Sequence, residues 1–146
     1  EAALAERVDA RLTEYTGHLD ALEFRKAAAA LRALWAEGNV YLEQTEPWKT
    51  IKVDRDRTAC TLRTALALVL VHSVASTPFV PATSDRLRMA FPDVARVPLC
   101  LDGGLGQAAS DVLPAGSMLV PPPLLFRKLD AEELSGWQAR FGGPGE

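Results

Sequence analysis

Apolar residues recur along this chain at helical spacing. Leu4, Val8, Leu12 and Tyr15 form one stripe, which predicts a first helix over about residues 3–18. Gly17 is its expected stop, and Asp20 the expected N-cap of the next helix. That second helix is predicted over about 21–44. Phe24, Ala28, Leu31, Trp35 and Leu42 share or border one face, and Ala27, Leu34 and Tyr41 widen it. A stripe this wide should meet more than one neighbour. Pro47 ends the helix, because its ring disfavours helical backbone in the residue before it.

Asp54 or Asp56 should cap a third helix running to about Thr77. Residues 65–71 are apolar on every side, as in the central helix of a bundle. Pro78 stops it, and Pro81 suits the first turn of a fourth helix over about 80–90. The pattern then breaks. Residues 92–123 hold half of the chain's Pro and Gly, which predicts irregular chain with at most a short helix near 105–112. Leu124, Leu125, Phe126 and Leu129 should anchor the returning chain. Asp130 and Glu133 have capping-box spacing, so a final helix is predicted over about 131–140, with Leu134 and Trp137 inward. The organisation is a bundle core over 1–91, an irregular connection over 92–123, a returning anchor and helix over 124–141, and a flexible tail over 142–146. The fold class is all-α, an antiparallel helical bundle, with Leu12, Leu31, Leu34, Leu62, Leu66, Val69, Leu70 and Phe126 in its core.

Composition supports this. Alanine and leucine abound, whereas isoleucine appears only at Ile51, and no sustained period-two alternation is present. A net charge of −3 excludes a generally basic coat, so any nucleic-acid contact must be local. The apolar run from Ala65 to Ala75 is shorter than the roughly 20 residues of a membrane span, so no membrane partner is expected. Cys60 and Cys100 match neither a disulfide framework nor a zinc pattern. They read as packed, reduced thiols, which favours a cytoplasmic location. The chain starts Glu1-Ala2-Ala3 with no signal-like segment and no initiator Met, as an excised fragment or processed chain would.

Catalytic chemistry finds no foothold. There is no phosphate loop, no His-Glu-x-x-His and no Cys-x-x-Cys. Gly103-Gly-Leu-Gly106 lacks a preceding strand and reads as a connector. His72, inside the apolar run, reads as a core histidine with one backbone or water partner, and His18 as a favourable cation at a helix end. Glu132 and Glu133 suit the first turn of a helix. No cofactor or metal site is expected in this domain.

The informative stretch is 39–63, NVYLEQTEPWKTIKVDRDRTACTLR. Trp48 follows the helix break at Pro47, so its indole can leave the helix surface. Lys49, Lys52, Arg55, Arg57 and Arg63 follow, against Asp54 and Asp56. Single-stranded nucleic acid is held this way, a base stacking on an aromatic ring while cations hold phosphates. The competing reading is a tryptophan that closes the core beside a solvated basic face. Trp35 and Trp137 lie on apolar stripes and read as core. Tyr41 reads as core, and Asn39, beside Gly38, as a residue that caps or bridges backbone.

Asn39-Val-Tyr41 followed by Pro47-Trp48-Lys49 resembles the N-x-Y…P-W-K stretch in the anticodon-binding domain of methionyl-tRNA synthetase. The resemblance continues through Ala65–Thr77, Pro78-Phe-Val-Pro81 and Ser84–Leu87, then Leu124–Leu129, Glu133 and Arg140-Phe-Gly-Gly143. It covers about residues 20–143 and is weakest over 92–118. The leucine, isoleucine, valine and cysteine synthetases carry related bundles and compete with it. The resemblance implies recognition of the methionine tRNA anticodon, with Trp48 stacking on a base and Pro47 setting its exit angle. It implies partners, methionine tRNA and a catalytic domain that uses ATP and methionine. The HIGH and KMSKS motifs of that catalytic domain are absent here. The family's other anticodon readers, an Asn and an Arg, lie on a preceding helix, and no match for them is found. Asn39 instead resembles the structural Asn of the helix leading into Pro-Trp. Another class stays open, a stand-alone bundle kept as a protein-interaction module, suggested by the acidic charge and the missing readers.

Overall fold

The computed structural model describes residues 2–93, 113 and 116–142. Its helices are α1 (Ala2–Asp20), α2 (Phe24–Thr45), α3 (Pro47–Thr50), α4 (Arg55–Ser76), α5 (Pro81–Met89) and α6 (Ala131–Phe141). No strand occurs among the described residues. The short link Ala21–Glu23 turns α2 back along α1. Arg7 and Arg11 near the start of α1 both reach Glu37 late in α2, and His18 meets Glu23 at the other end. Helix α4 runs antiparallel to α2 in turn, since His72 bonds Leu34 while Leu68 lies near Gly38. Helices α1 and α4 therefore end together, where Tyr15 Oη donates to the Ala75 carbonyl at 2.6 Å.

The stripe of α1 is buried as its spacing predicts: Leu4, Val8, Leu12 and Tyr15. It packs with Ala27, Ala30, Leu31, Leu34 and Tyr41 of α2 and with Ala67, Leu68, Leu70, Val71 and Ala75 of α4. Leu66 and Val69 pack against this core while partly exposed. Helix α4 spans 22 residues and is long and apolar enough to cross a membrane, so the shortness of its apolar run does not decide that question. Its composition is accounted for by packing, because it is covered by α2, α3 and α5. Asp54 caps it, its side chain accepting from the Arg57 N–H at 2.9 Å.

Several expectations are corrected. Gly17 does not stop α1; it is an exposed position within the helix, and the chain stays helical to Asp20. The stop is a Schellman motif with Leu22 in the left-handed position (φ 58°), where Glu23 N–H bonds His18 O and Leu22 N–H bonds Leu19 O. Asp20 therefore belongs to α1 and caps nothing. Glu23 stands at the N-cap of α2, but its carboxylate engages Lys26 and His18, which hold its pKa below the usual carboxylate range. The buried face of α2 is centred on Ala27, Leu31 and Leu34, which leaves Phe24 exposed and Trp35 at the edge. Leu62 is 43% exposed and not in the core, and Cys60, also on α4, is an exposed free thiol and not a packed one.

The C-terminal part departs most. Leu124 and Phe126 are largely exposed, Phe126 at 67%, and Leu129 is also exposed; only Leu125 is half-buried. The anchor is carried earlier, by Phe91 against Leu113 in the core and by Val120 N–H on the Ala90 carbonyl. Helix α6 has the expected capping box, Asp130 with Glu133, and Arg127 clamps Glu133 through two bonds of 2.6 and 2.5 Å. Yet α6 buries no residue, and Leu134 and Trp137 are exposed, because among the described residues no bundle face covers its stripe. The predicted short helix near 105–112, the glycine cluster at 103–106, Cys100 and the tail beyond Gly142 lie outside the described residues.

Candidate nucleic-acid interface

The turn between α2 and α4 is built from local backbone rules. Helix α2 ends at Thr45 and Glu46 enters left-handed backbone (φ 41°), which redirects the chain. A non-glycine residue there costs roughly 1–2 kcal/mol, so the surroundings must hold it. Pro47 then takes the first position of α3, where its missing N–H is harmless and its fixed φ suits a new helix. The Glu46 carbonyl accepts from Lys49 N–H at 2.8 Å and Thr50 N–H at 3.1 Å, closing the single turn. Pro47 is buried and faces inward. Trp48, the next residue, is therefore turned away, and it is 56% exposed. The indole does not close the core.

The predicted cations surround this turn unequally. Lys49 is exposed but bound to Glu46, Nζ to Oε1 at 2.5 Å, so its charge is partly compensated. Lys52, in the bend after α3, and Arg55, the first residue of α4, are exposed and make no ion pair among the described residues. Arg57 gives its backbone N–H to Asp54 and exposes its side chain. Arg63 lies two turns further along α4, exposed and engaged in other contacts. The start of α4 is not an empty cationic pole. Asp54 takes the Arg57 N–H and Asp56 adds a carboxylate to its first turn. The uncompensated positive charge of this turn is therefore carried by the side chains of Lys52 and Arg55, while Lys49 is tied to Glu46.

The other tryptophans differ in their neighbours. Trp35 donates its indole N–H to Ser76 Oγ at 3.2 Å, and it lines an apolar groove with Val69, Val80, Leu87 and Phe126. Trp137 is 48% exposed, but on α6 beside Glu132 and Glu133. Exposure alone does not single out Trp48; exposure within a cluster of cations does. His72 reads as expected, a covered ring with one backbone partner. Burial drops its pKa to about 4, partly offset by its bond to Leu34. Its Nε2 has no hydrogen-bond partner among the described residues, and Gly38 makes room for its ring edge, since a Cβ there would sit 3.0 Å from Cε1. Asn39 is exposed on α2. No group of three His, Cys, Asp or Glu that could hold a metal occurs among the described residues.

Sequence reasoning missed two hydroxyls within this turn. Thr50 Oγ1 lies 2.8 Å from Thr58 Oγ1, and Thr58 Oγ1 donates to the Asp54 carbonyl at 2.8 Å. These hydroxyls join α3 to the start of α4. Two threonines eight positions apart across a bend carry no recognisable sequence signature.

Relatives place this geometry in context. The family model for the anticodon binding domain of methionyl tRNA ligase matches residues 1–146. The chain is 44% identical over 146 residues to a methionine–tRNA ligase of Streptomyces avermitilis, covering all of this chain and 25% of that protein. It is 40% identical over 143 residues to one of Caulobacter vibrioides, covering 98% of this chain and 25% of that protein. A third, of Maricaulis maris, is 39% identical over 148 residues, covering all of this chain and 26% of that protein. The chain thus spans about a quarter of the length of these curated relatives. With an all-helical bundle and a match running from its first residue to its last, the chain belongs to the family of methionyl-tRNA ligase anticodon-binding domains.

Proposed function

We propose that this domain binds the anticodon of methionine tRNA through the α2–α4 turn and so positions the tRNA for a separate catalytic domain. Trp48 stacks on an anticodon base. Pro47 sets the direction in which the indole leaves. Lys49, Lys52 and Arg55 hold the neighbouring phosphates. Methionine activation with ATP belongs to the catalytic domain of the whole ligase. The observation that carries this reading is the half-exposed indole on a one-turn helix, followed by two exposed cations without ion-pair partners among the described residues. Such a ring has lost little to the core and can cover a base, and the cations supply the salt-sensitive part of the affinity.

The test is a titration with a CAU anticodon stem-loop and with one of scrambled anticodon, each at two salt concentrations. Preference for the CAU loop that disappears in Trp48→Ala supports the reading. Binding of both loops with equal affinity by the parent protein and by Trp48→Ala overturns it. A protein that binds neither loop would instead fit a bundle kept for protein contacts.

A further inference from the structure

We propose that Thr58 is a positioning residue for the RNA-stacking ring, acting through a hydroxyl relay that fixes the turn carrying Trp48. The inference rests on the anticodon-binding reading of that turn and names a part of the machinery not yet assigned. Trp48 belongs to a four-residue helix, Pro47–Thr50. A helix this short cannot hold itself, because nucleation fixes several dihedrals for each bond gained. Left-handed Glu46 at its entry adds strain. Something outside the turn must hold it.

Thr58 meets that need. It sits in the first turn of α4, is 2% exposed, and lies directly under α3. A hydroxyl has one proton. The Thr58 proton is committed to the Asp54 carbonyl at 2.8 Å. Its oxygen must therefore accept at the other contact, and Thr50 is the donor at 2.8 Å. The alternative for Thr50 is the Pro47 carbonyl at 3.4 Å, a poor bond. The relay thus runs from Thr50 on α3 to Thr58 on α4 and on to Asp54, the N-cap of α4. The same Asp54 carbonyl also accepts the Thr58 N–H at 3.1 Å, so α4 keeps its first backbone bond without the hydroxyl. Losing the hydroxyl loosens α3 while leaving the long helix capped.

The geometry converts this into a binding effect. A ring that must meet a base face to face loses affinity when its mount moves, because the order has to be supplied on binding. Thr58→Val keeps the shape and removes the relay. In the full-length protein, Thr58→Val is expected to weaken the CAU stem-loop about three- to tenfold, the range that one neutral hydrogen bond supports. The fluorine resonance of Trp48 in 5-fluorotryptophan-labelled protein, assigned by Trp48→Phe, should sharpen and shift toward the free amino acid. Thr58→Ser, which restores the hydroxyl, should recover both. Thr50→Val breaks the relay from the α3 side without touching α4 and should reproduce the loss, which covers the case of a Thr58 variant that folds poorly. Parent-like affinity in both valine variants, with Trp48→Ala weakened, overturns the positioning role and leaves the RNA reading standing. Parent-like affinity in Trp48→Ala overturns the RNA reading underneath. Weaker binding with an unchanged Trp48 resonance, or without recovery in Thr58→Ser, also overturns the positioning role.

Discussion

Trp48→Ala is the sharpest perturbation the structure offers, and its effect can be worked out before it is measured. A tryptophan side chain carries up to about 250 Å². With 56% of the residue exposed, about 140 Å² of indole stands open to solvent on that figure. One stacked base covers one face, about 70 Å², which at about 25 cal/mol per Å² contributes about 1.8 kcal/mol. That falls inside the range of about 1–3 kcal/mol measured for base–aromatic stacking. It corresponds to a rise of about twentyfold in Kd for the CAU stem-loop. The covered part of the ring contributes at most about 2–3 kcal/mol to the fold. A domain has roughly 5–15 kcal/mol to lose, so the variant stays folded. The assay is fluorescence anisotropy of a labelled stem-loop at fixed salt, with circular dichroism as the check on folding. The loss should be specific: large for the CAU loop and small for the scrambled one. Equal affinity of variant and parent refutes the stacking argument. So does a loss of the same size for both loops, because it would place the tryptophan in general electrostatic docking.

Lys52→Gln combined with Arg55→Gln should weaken both loops alike, and the slope of log K against log salt should fall by about 1.4, at about 0.7 per cation on a single strand; an unchanged slope would show that phosphates are held elsewhere. His72 links stability to pH. Its folded pKa of about 4 lies below the ordinary 6.5, so the unfolded chain binds the proton first; its contribution is complete above pH 6.5 and is lost as pH falls toward 4, at most about 3 kcal/mol. Urea unfolding should therefore show the parent losing stability relative to His72→Leu on acidification, and a difference that stays constant with pH would contradict the buried neutral ring. Gly17 and Gly38 are a contrasting pair. A Cβ at Gly17 meets nothing within 4 Å, so Gly17→Ala should add about 0.5–1 kcal/mol and raise Tm by a few degrees. Gly38→Ala puts a Cβ 3.0 Å from His72 Cε1 and should lower Tm despite the same propensity gain, as overpacking costs about 1–3 kcal/mol.

Much of the bundle is legible in the sequence because its signals are local. The stripe Leu4–Val8–Leu12–Tyr15 is buried as its spacing requires. Asp54 and Asp130 cap the helices they precede, Pro47 lies just past the end of α2 and Pro81 opens α5, whereas the single turn of α3 that Pro47 begins has no signal in the pattern. The failures have physical causes. The left-handed stops are Leu22 and Glu46, where the rule looks for glycine, so the sequence pattern points to Gly17 and Asp20 while α1 runs on to Asp20 itself. The apolar stripe of α6 shows amphipathicity but not what it faces, and Leu134 and Trp137 prove exposed. Phe126 and Leu62 fail as core residues for the same reason. At the candidate interface, the break before Trp48 and the charge excess are readable from residue types. The ion pair that ties Lys49 to Glu46, and the hydroxyls of Thr50 and Thr58, belong to the turn's three-dimensional path. They leave no periodic trace.

The hydrogen bond from Tyr15 to the Ala75 carbonyl has a consequence for how the domain assembles. The two partners lie 60 residues apart. Helices α1 and α2 follow one another through a tight stop and can pair as soon as both have left the ribosome, since their contacts are short in sequence. Helix α4 comes later, and its last turn, which carries Ala75, later still. The tyrosine hydroxyl must wait, wet, until the end of that helix swings onto the finished pair. A contact that closes so long a loop forms late, after most of the loop entropy has been spent. Its strength is then felt chiefly in how long the finished domain lasts, and little in how fast it is made.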